Sequence, residues 1–413
     1  MHTASSPNVK SRNLTRPAGR LTLVAVDAND GKRIKVVLVL EATEGGTRRH
    51  LLDLLDGLPP ERFELLPVVS VRPASGFEAD IERLRARGLR VEVIPMRRRP
   101  APLADPVALG RLVRLFRRER PEVVHAHGSK GGFLGRVAAR LAGVKRVYHT
   151  PHVYPFQWAR GAGRSVYLAA ERLLWRLADK VVAVGPGQAR VALSARVARQ
   201  DRLVVIPNGV DADRFARLAA PENRAAVRRE LGLADGDLAV GMVGRLAPQK
   251  GCGHFIRAAR LVAERQPRAR FLLIGSGPLL PYLGALAADL GIGDRVLFLG
   301  HRPDADRLYA ALDLFVLSSL WEGLPYAVLE AQASSLAVVA SRIPGCEELV
   351  ADGRTGYLVA LPDEEQIAAR ILHLLTDPAR RAEMGRAARA RVEKEFRLDR
   401  FLELHAQLYE GKL

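Results

Sequence analysis

The alternation of short apolar runs with amphipathic stretches of helical length constrains this chain more than any other feature, because the pattern runs twice. The first series comprises IKVVLVL (34–40), FELLPVVSV (63–71), LRVEVIPM (89–96), PEVVHAH (121–127), KRVYHT (145–150) and KVVAVG (180–185). After the turn-forming cluster in IPNGVDADRF (206–215) it restarts at LAVGMVG (238–244), RFLLIG (270–275), RVLFLG (295–300), LDLFVLS (312–318), LAVVAS (336–341) and GYLVA (356–360). Near-continuous apolar strands with helices between them imply parallel sheets covered on both faces. At 413 residues the chain exceeds a single core. The expectation is two doubly wound, Rossmann-like α/β domains, 34–206 and 207–390, facing each other across a cleft. A last helical stretch from about Arg386 has no strand after it, and its part over 391–413 is expected to cross back towards the first domain.

Composition narrows the setting. No apolar run approaches the roughly 18 residues of a membrane span. Residues 1–33 mix Ser, Asn, Arg, Lys and Gly, with LTLVAV as their longest apolar run, and are expected to be a disordered basic tail rather than a signal segment. Cys252 and Cys346 are too few for a disulfide framework or a zinc motif, which fits a reducing, cytoplasmic compartment. Net charge is +19, and residues 82–120 hold twelve arginines against Glu82, Glu92, Asp105 and Glu119. That excess suits anionic partners, including the inner face of a membrane, or arginine simply spread over solvated faces. Aromatics make up 6% of the chain and do not interleave with the basic run, so nucleic acid is not an expected partner.

Ligands of open parallel sheets collect outside the carboxyl ends of the strands, and several chemistry-bearing residues fall there. Arg245 and Lys250 in VGRLAPQKG follow one strand across a Pro turn that can bring both cations together. LDLFVLS runs into SLWEGLPYAVLEA, where Pro325 suits a helix start and the amides of Tyr326, Ala327, Val328 and Leu329 can meet phosphate. Glu322 and Glu330, eight residues apart, could face the same cleft and accept hydrogen bonds from sugar diols. Phosphates in the middle with sugars on both sides describe a nucleotide-sugar. Gly45 and Gly46 in EATEGGTRRH let backbone approach a phosphate or sugar, and serve equally as a plain strand-to-helix turn. LIGSGP and LGHRPD could offer backbone to a nucleobase edge. AVGPGQA lacks the spacing of a dinucleotide fingerprint, and no GxxxxGK[ST] occurs, so NAD and ATP hydrolysis are not expected. His125, His127, His149 and His152 end two neighbouring strands without a nearby Cys. They suit cleft lining better than a metal, and His152 is the one placed to orient a reacting group.

In this order, EATEGG, HAHGSKGGFLGRVAARLAG, PNGVD, GRLAPQKG, IGSGP, EGLPYAVLEA and SRIPGCEELVADGRTGYLV resemble the retaining glycosyltransferases of family 4, of GT-B fold, from about Ile34 to the C-terminus. The first-half segment is similar to members acting on polyprenyl-linked or exopolysaccharide acceptors. The resemblance implies that Arg245 and Lys250 neutralise the donor diphosphate and that Glu322 lies near the donor hexose. It further implies Glu330 on the nucleotide ribose, His152 facing the sugar, and retention by a front-face route without metal or other cofactor. Val153 stands where many relatives carry Gly, which could narrow the acceptor side. Two other classes fit the same composition: a nucleotide-sugar epimerase of this fold, and a non-enzymatic basic binding protein.

Overall fold

Every strand pairing in the computed structural model, which describes residues 33–71, 76–97 and 99–413, is parallel. The first sheet contains β1 (Ile34–Leu40), β2 (Phe63–Val69), β3 (Glu92–Val93), β4 (Val123–His127), β5 (Arg146–Thr150), β6 (Lys180–Ala183) and β7 (Leu203–Val205). The second contains β8 (Leu238–Val243), β9 (Ala269–Ile274), β10 (Val296–Gly300), β11 (Leu314–Leu317), β12 (Val338–Ser341) and β13 (Gly356–Val359). Their orders, β3-β2-β1-β4-β5-β6-β7 and β10-β9-β8-β11-β12-β13, reverse direction beside β1 and beside β8. Those reversals open a crevice at the carboxyl ends of β1 and β4, and of β8 and β11, where open sheets bind ligands. The twofold doubly wound architecture expected from the alternation is the one observed.

Burial explains why the strands were readable. Val36 to Leu40 in β1 and Leu314 to Leu317 in β11 are buried without interruption, as strands covered on both faces must be. β7 escaped notice because it is only three residues long, partly exposed at a sheet edge, and its short apolar stretch from Leu203 to Ile206 runs straight into the Pro207–Asn208–Gly209 turn.

The final helical stretch differs from the single helix expected. The Pro378–Glu395 helix stops, Phe396 and Arg397 pass beside Val210, and a new helix, Leu398–Glu410, begins. Gly209 makes room for the crossing, since a Cβ there would lie 2.7 Å from the Arg397 carbonyl oxygen. Phe401, Ala406, Leu408 and Tyr409 then join the core under β1, β4 and β5. The basic tail expected over 1–33 lies outside the described residues except for Arg33. Among the described residues no helix is long and apolar enough to cross a membrane.

Candidate active site between the two sheets

The strand ends deliver their residues to one place. The loop after β8 carries Arg245, and Pro248 opens a short 3-10 turn that ends at Lys250. Gly251 follows in the left-handed region (φ 58°) with its backbone against Ser318; a Cβ would lie 2.1 Å from that carbonyl oxygen. The close approach joins the β8 loop to the end of β11. Lys250 Nζ consequently sits 2.5 Å from Glu322 Oε1, which also accepts from Ser319 Oγ at 2.7 Å, while Gln249 Nε2 is 3.4 Å from Glu322 Oε2. Arg245 reaches the other way, 3.5 Å from Glu44 of the first half.

Pro325 caps the Tyr326–Ala333 helix. Val328 and Leu329 already donate to the Pro325 carbonyl, so of the four leading amides named from sequence Tyr326 and Ala327 are the two without a backbone acceptor among the described residues. The Val328 amide, expected from sequence to meet phosphate, here closes the turn onto Pro325 at 3.2 Å. Gly46, in the first turn of the Gly45–Gly57 helix, comes so close that a Cβ would lie 3.3 Å from the Tyr326 ring. Gly45 has φ 60° and open space around it, which identifies the strand-to-helix turn as its own requirement.

Glu330 does not lie open beside Glu322. It is buried, accepts from Tyr309 Oη at 2.8 Å, and sits 4.0 Å from Arg49, which also contacts Asp53 (2.8 Å) and Asp306 (3.4 Å). Burial, only partly offset by Arg49, pushes its carboxyl up to about 7. Arg49 thus spans from the first half to two acids of the second.

His152 adopts φ 57°, rare for a side chain with Cβ, inside a tight turn in which the Val153 N–H donates to the Pro151 carbonyl. Its own carbonyl accepts from Gln188 Nε2 at 2.5 Å and packs on Gly323, where a Cβ would lie 2.1 Å away. His152 is half-buried rather than projecting openly, its ring centred 4.8 Å from His50 and 5.5 Å from His127, and its buried Nε2 has no partner among the described residues. Burial holds His125, His127, His149 and His152 well below the ordinary imidazole range, and lowers His50 to about 4 and His405 to about 3. These rings are therefore neutral hydrogen-bonding groups at physiological pH. Asn208 Nδ2 donates to the Leu324 carbonyl (2.8 Å), so its Oδ1 accepts from His50 Nδ1 (3.0 Å) and leaves His50 Nε2 aimed into the cluster. Ligand nitrogens of His50, His127 and His152 lie within 4.8 Å of one another, against about 3.4 Å across a tetrahedral zinc site with bonds near 2.1 Å. That spacing is wider than a closed cage's, and His50 Nε2, both His127 ring nitrogens and His152 Nε2 have no hydrogen-bond partner among the described residues.

The sequence-predicted residues therefore connect: Gly46 to Tyr326, Arg245 to Glu44, Lys250 to Glu322, Glu330 to Arg49, and His152 to Gly323. The glycines of IGSGP have a different part from the one expected. Gly275 and Gly277 pack on Gly244 and Leu246, and the backbone there bonds the Arg245 loop rather than standing free for a nucleobase. Sequence reasoning missed Asn208, Tyr309, Asp306 and His405. Asn208 lies within the quoted PNGVD, the one signal that could have found it.

Residues 44–214 match the family described as Glycosyltransferase Family 4, and residues 223–391 match Glycosyl transferases group 1. An Escherichia coli UDP-Gal:alpha-D-GlcNAc-diphosphoundecaprenol alpha-1,3-galactosyltransferase is 30% identical over 378 residues, 89% of this chain and 95% of that relative. The chain belongs to glycosyltransferase family 4. A second relative of this transferase is a Mycolicibacterium smegmatis GDP-mannose-dependent alpha-(1-6)-phosphatidylinositol monomannoside mannosyltransferase, 33% identical over 70% of this chain and 76% of its own length. Among solved structures, Anabaena HepE in complex with UDP and glucose superposes with a TM-score of 0.77 at 23% identity, covering 92% of this chain and all of HepE. WaaG, a glycosyltransferase involved in lipopolysaccharide biosynthesis, does so with 0.72 at 17%, covering 92% of this chain and all of WaaG. Both likenesses concern the fold, which is GT-B.

Proposed function

We propose that this family 4 transferase moves a hexose, with retention and without a metal, from a nucleotide-diphosphate sugar to a hydroxyl of a lipid-linked glycan in cell-surface polysaccharide or glycolipid synthesis. The observation that carries the reading is the Lys250–Glu322–Ser319 cluster, joined by Gly251 to the end of β11, with Arg245 on the same loop and the Tyr326 and Ala327 amides without a backbone acceptor among the described residues. A diphosphate entering there gains two cations and two helix-terminal N–H groups, each charge-assisted bond contributing roughly 1.5–3 kcal/mol. Lys250 turning from Glu322 to phosphate leaves that carboxylate to accept from hexose hydroxyls. Glu330 takes the ribose diol, Gly46 admits the donor close to backbone, and His152 Nε2, neutral and unpartnered, orients the sugar.

The departing phosphate removes the acceptor proton on the same face as the incoming hydroxyl. Positive charge already in place stabilises the leaving diphosphate, so a divalent ion has no necessary role. The relatives named above are a UDP-Gal:GlcNAc-diphosphoundecaprenol galactosyltransferase and a GDP-mannose-dependent phosphatidylinositol monomannoside mannosyltransferase, which supports a nucleotide-sugar donor and a lipid-anchored acceptor.

The test is transfer from UDP- and GDP-sugars to a polyprenyl-diphosphate sugar, with the product anomer determined and EDTA present. Retained α-configuration and full activity in EDTA are expected. Inversion, strict dependence on divalent ion, or donor isomerisation without acceptor would overturn the proposal, the last in favour of an epimerase.

A further inference from the structure

Four arginines of the stretch singled out in the sequence are paired with acids. Arg83 and Arg87 share Asp56, and Arg90 and Arg118 share Glu92 and Glu119. A different surface is both basic and apolar. The Gly161–Leu174 helix has one acid, Glu171, and it is turned inward onto the fully buried Arg136 at 3.0 Å. Leu168 and Leu174 also face in. Outward stand Val166, Ala169, Ala170 and Leu173, spaced i, i+3, i+4 and i+7, with Val166 and Leu173 66% and 68% exposed. Arg160, Arg164, Arg172 and Arg176 flank this stripe, and among the described residues none has a carboxylate within 4.0 Å.

Two further observations join it. A groove of about 440 Å³ at the end of the helix is lined by Arg172, Trp175, Arg176, Arg196 and Arg199, with only Asp201 offsetting Arg199. Exposed Leu103, Val107 and Phe133 belong to the two helices, Ala104–Glu119 and Lys130–Leu141, packed in series beside this one, whereas the second half exposes only Tyr282 and Leu320 among its large apolar side chains. Apolar groups bordered by arginines that have no acidic partner among the described residues match a lipid surface, whose acyl boundary takes the first and whose phosphates take the second.

We infer that the outer face of the Gly161–Leu174 helix docks on an anionic bilayer, with the arginine groove holding lipid phosphate. The inference rests on the lipid-linked acceptor proposed above and specifies the surface that meets the membrane. The chain reaches this helix nine residues after His152, so docking there sets the reacting end of the first half close to the lipid.

Cosedimentation with phosphatidylcholine vesicles, with and without phosphatidylglycerol, tests it on the full chain. The unaltered protein is expected to bind the phosphatidylglycerol vesicles and to release in raised salt. Val166→Asp with Leu173→Asp, and separately Arg160→Ser with Arg164→Ser, should each lower partitioning roughly tenfold. Tyr282→Ser should change nothing. Thermal stabilisation by UDP or GDP, unchanged in both double variants, shows that the donor half is intact, and the arginine pair serves should the apolar pair fail to fold. Wild-type binding by both double variants overturns the inference while leaving membrane attachment in place. A protein that transfers sugar but ignores anionic vesicles overturns it and leaves the transferase reading standing.

Discussion

The two halves meet the site with opposite chemistry. The first brings imidazoles that desolvation keeps neutral: His50, His127 and the half-buried His152, backed by His125 and His149 and by His405 of the returning last helix. The second brings mostly ions, Lys250 paired with Glu322, and Glu330, which lies 4.0 Å from Arg49, a cation that reaches across from the first half. A neutral wall is rigid and indifferent to salt. A paired cradle can exchange partners, because a phosphate replaces the carboxylate at little electrostatic cost. The contrast suits a fixed sugar-orienting side and a donor side that reorganises on binding.

Acid should break the contrast most. The buried histidines titrate below their unfolded value near 6.5, so the unfolded chain binds more protons and stability is lost as pH falls from 6.5 towards 4. Each contributes roughly 1.4 kcal/mol per pH unit within its window, and a loss of several kcal/mol by pH 5 is expected. Urea midpoints at pH 7, 6 and 5 measure it; a flat profile would mean that the cluster is hydrated. Next in size, Lys250→Ala should cut the transfer rate about 10²–10³-fold with the fold kept, as loss of one preorganised charge does. Initial rates with saturating donor decide, and a rate within threefold of wild type would remove Lys250 from the chemistry.

Gly323→Ala addresses the seam itself. Its Cβ would lie 2.1 Å from the His152 carbonyl oxygen, so the halves must part and stability should fall by about 1–3 kcal/mol, read as a lower melting temperature. An unchanged melting temperature would show that the contact is loose. The smallest effect is expected at Glu330. Its carboxyl ionises at about 7, so donor affinity in the wild type should rise by up to about tenfold from pH 6 to pH 8, while Glu330→Gln stays level. Calorimetric titration of nucleotide at the two pH values compares them; parallel profiles would move the ribose elsewhere.

Much of the fold was legible. Parallel strands buried on both faces must be apolar throughout, so β1, β8, β11 and β12 stand out as runs, and the turn at Pro207–Asn208–Gly209 separates the two series. The break at Phe396–Arg397 was not legible, since it carries no local signal beyond ordinary residues, and β7 was missed because its short apolar stretch leads straight into the Pro207–Asn208–Gly209 turn. For the site, the positions of Arg245, Lys250 and Glu322 followed from their place after strand ends. Glu330's burial under Tyr309 and the closure of the Val328 amide by Pro325 did not.

Local pattern alone determined the two series of parallel strands, the glycines at tight turns, and the carboxyl-edge location of the charged residues, because each depends on neighbours a few positions away. Tertiary packing decided the pairings at long separation. Arg49 meets Asp306 across 257 residues, His50 meets Asn208 across 158, and the chain's last helix returns Tyr409 to His125 across 284. Such contacts rest on how two sheets and one returning helix settle against each other, and only the packed structure carries that information.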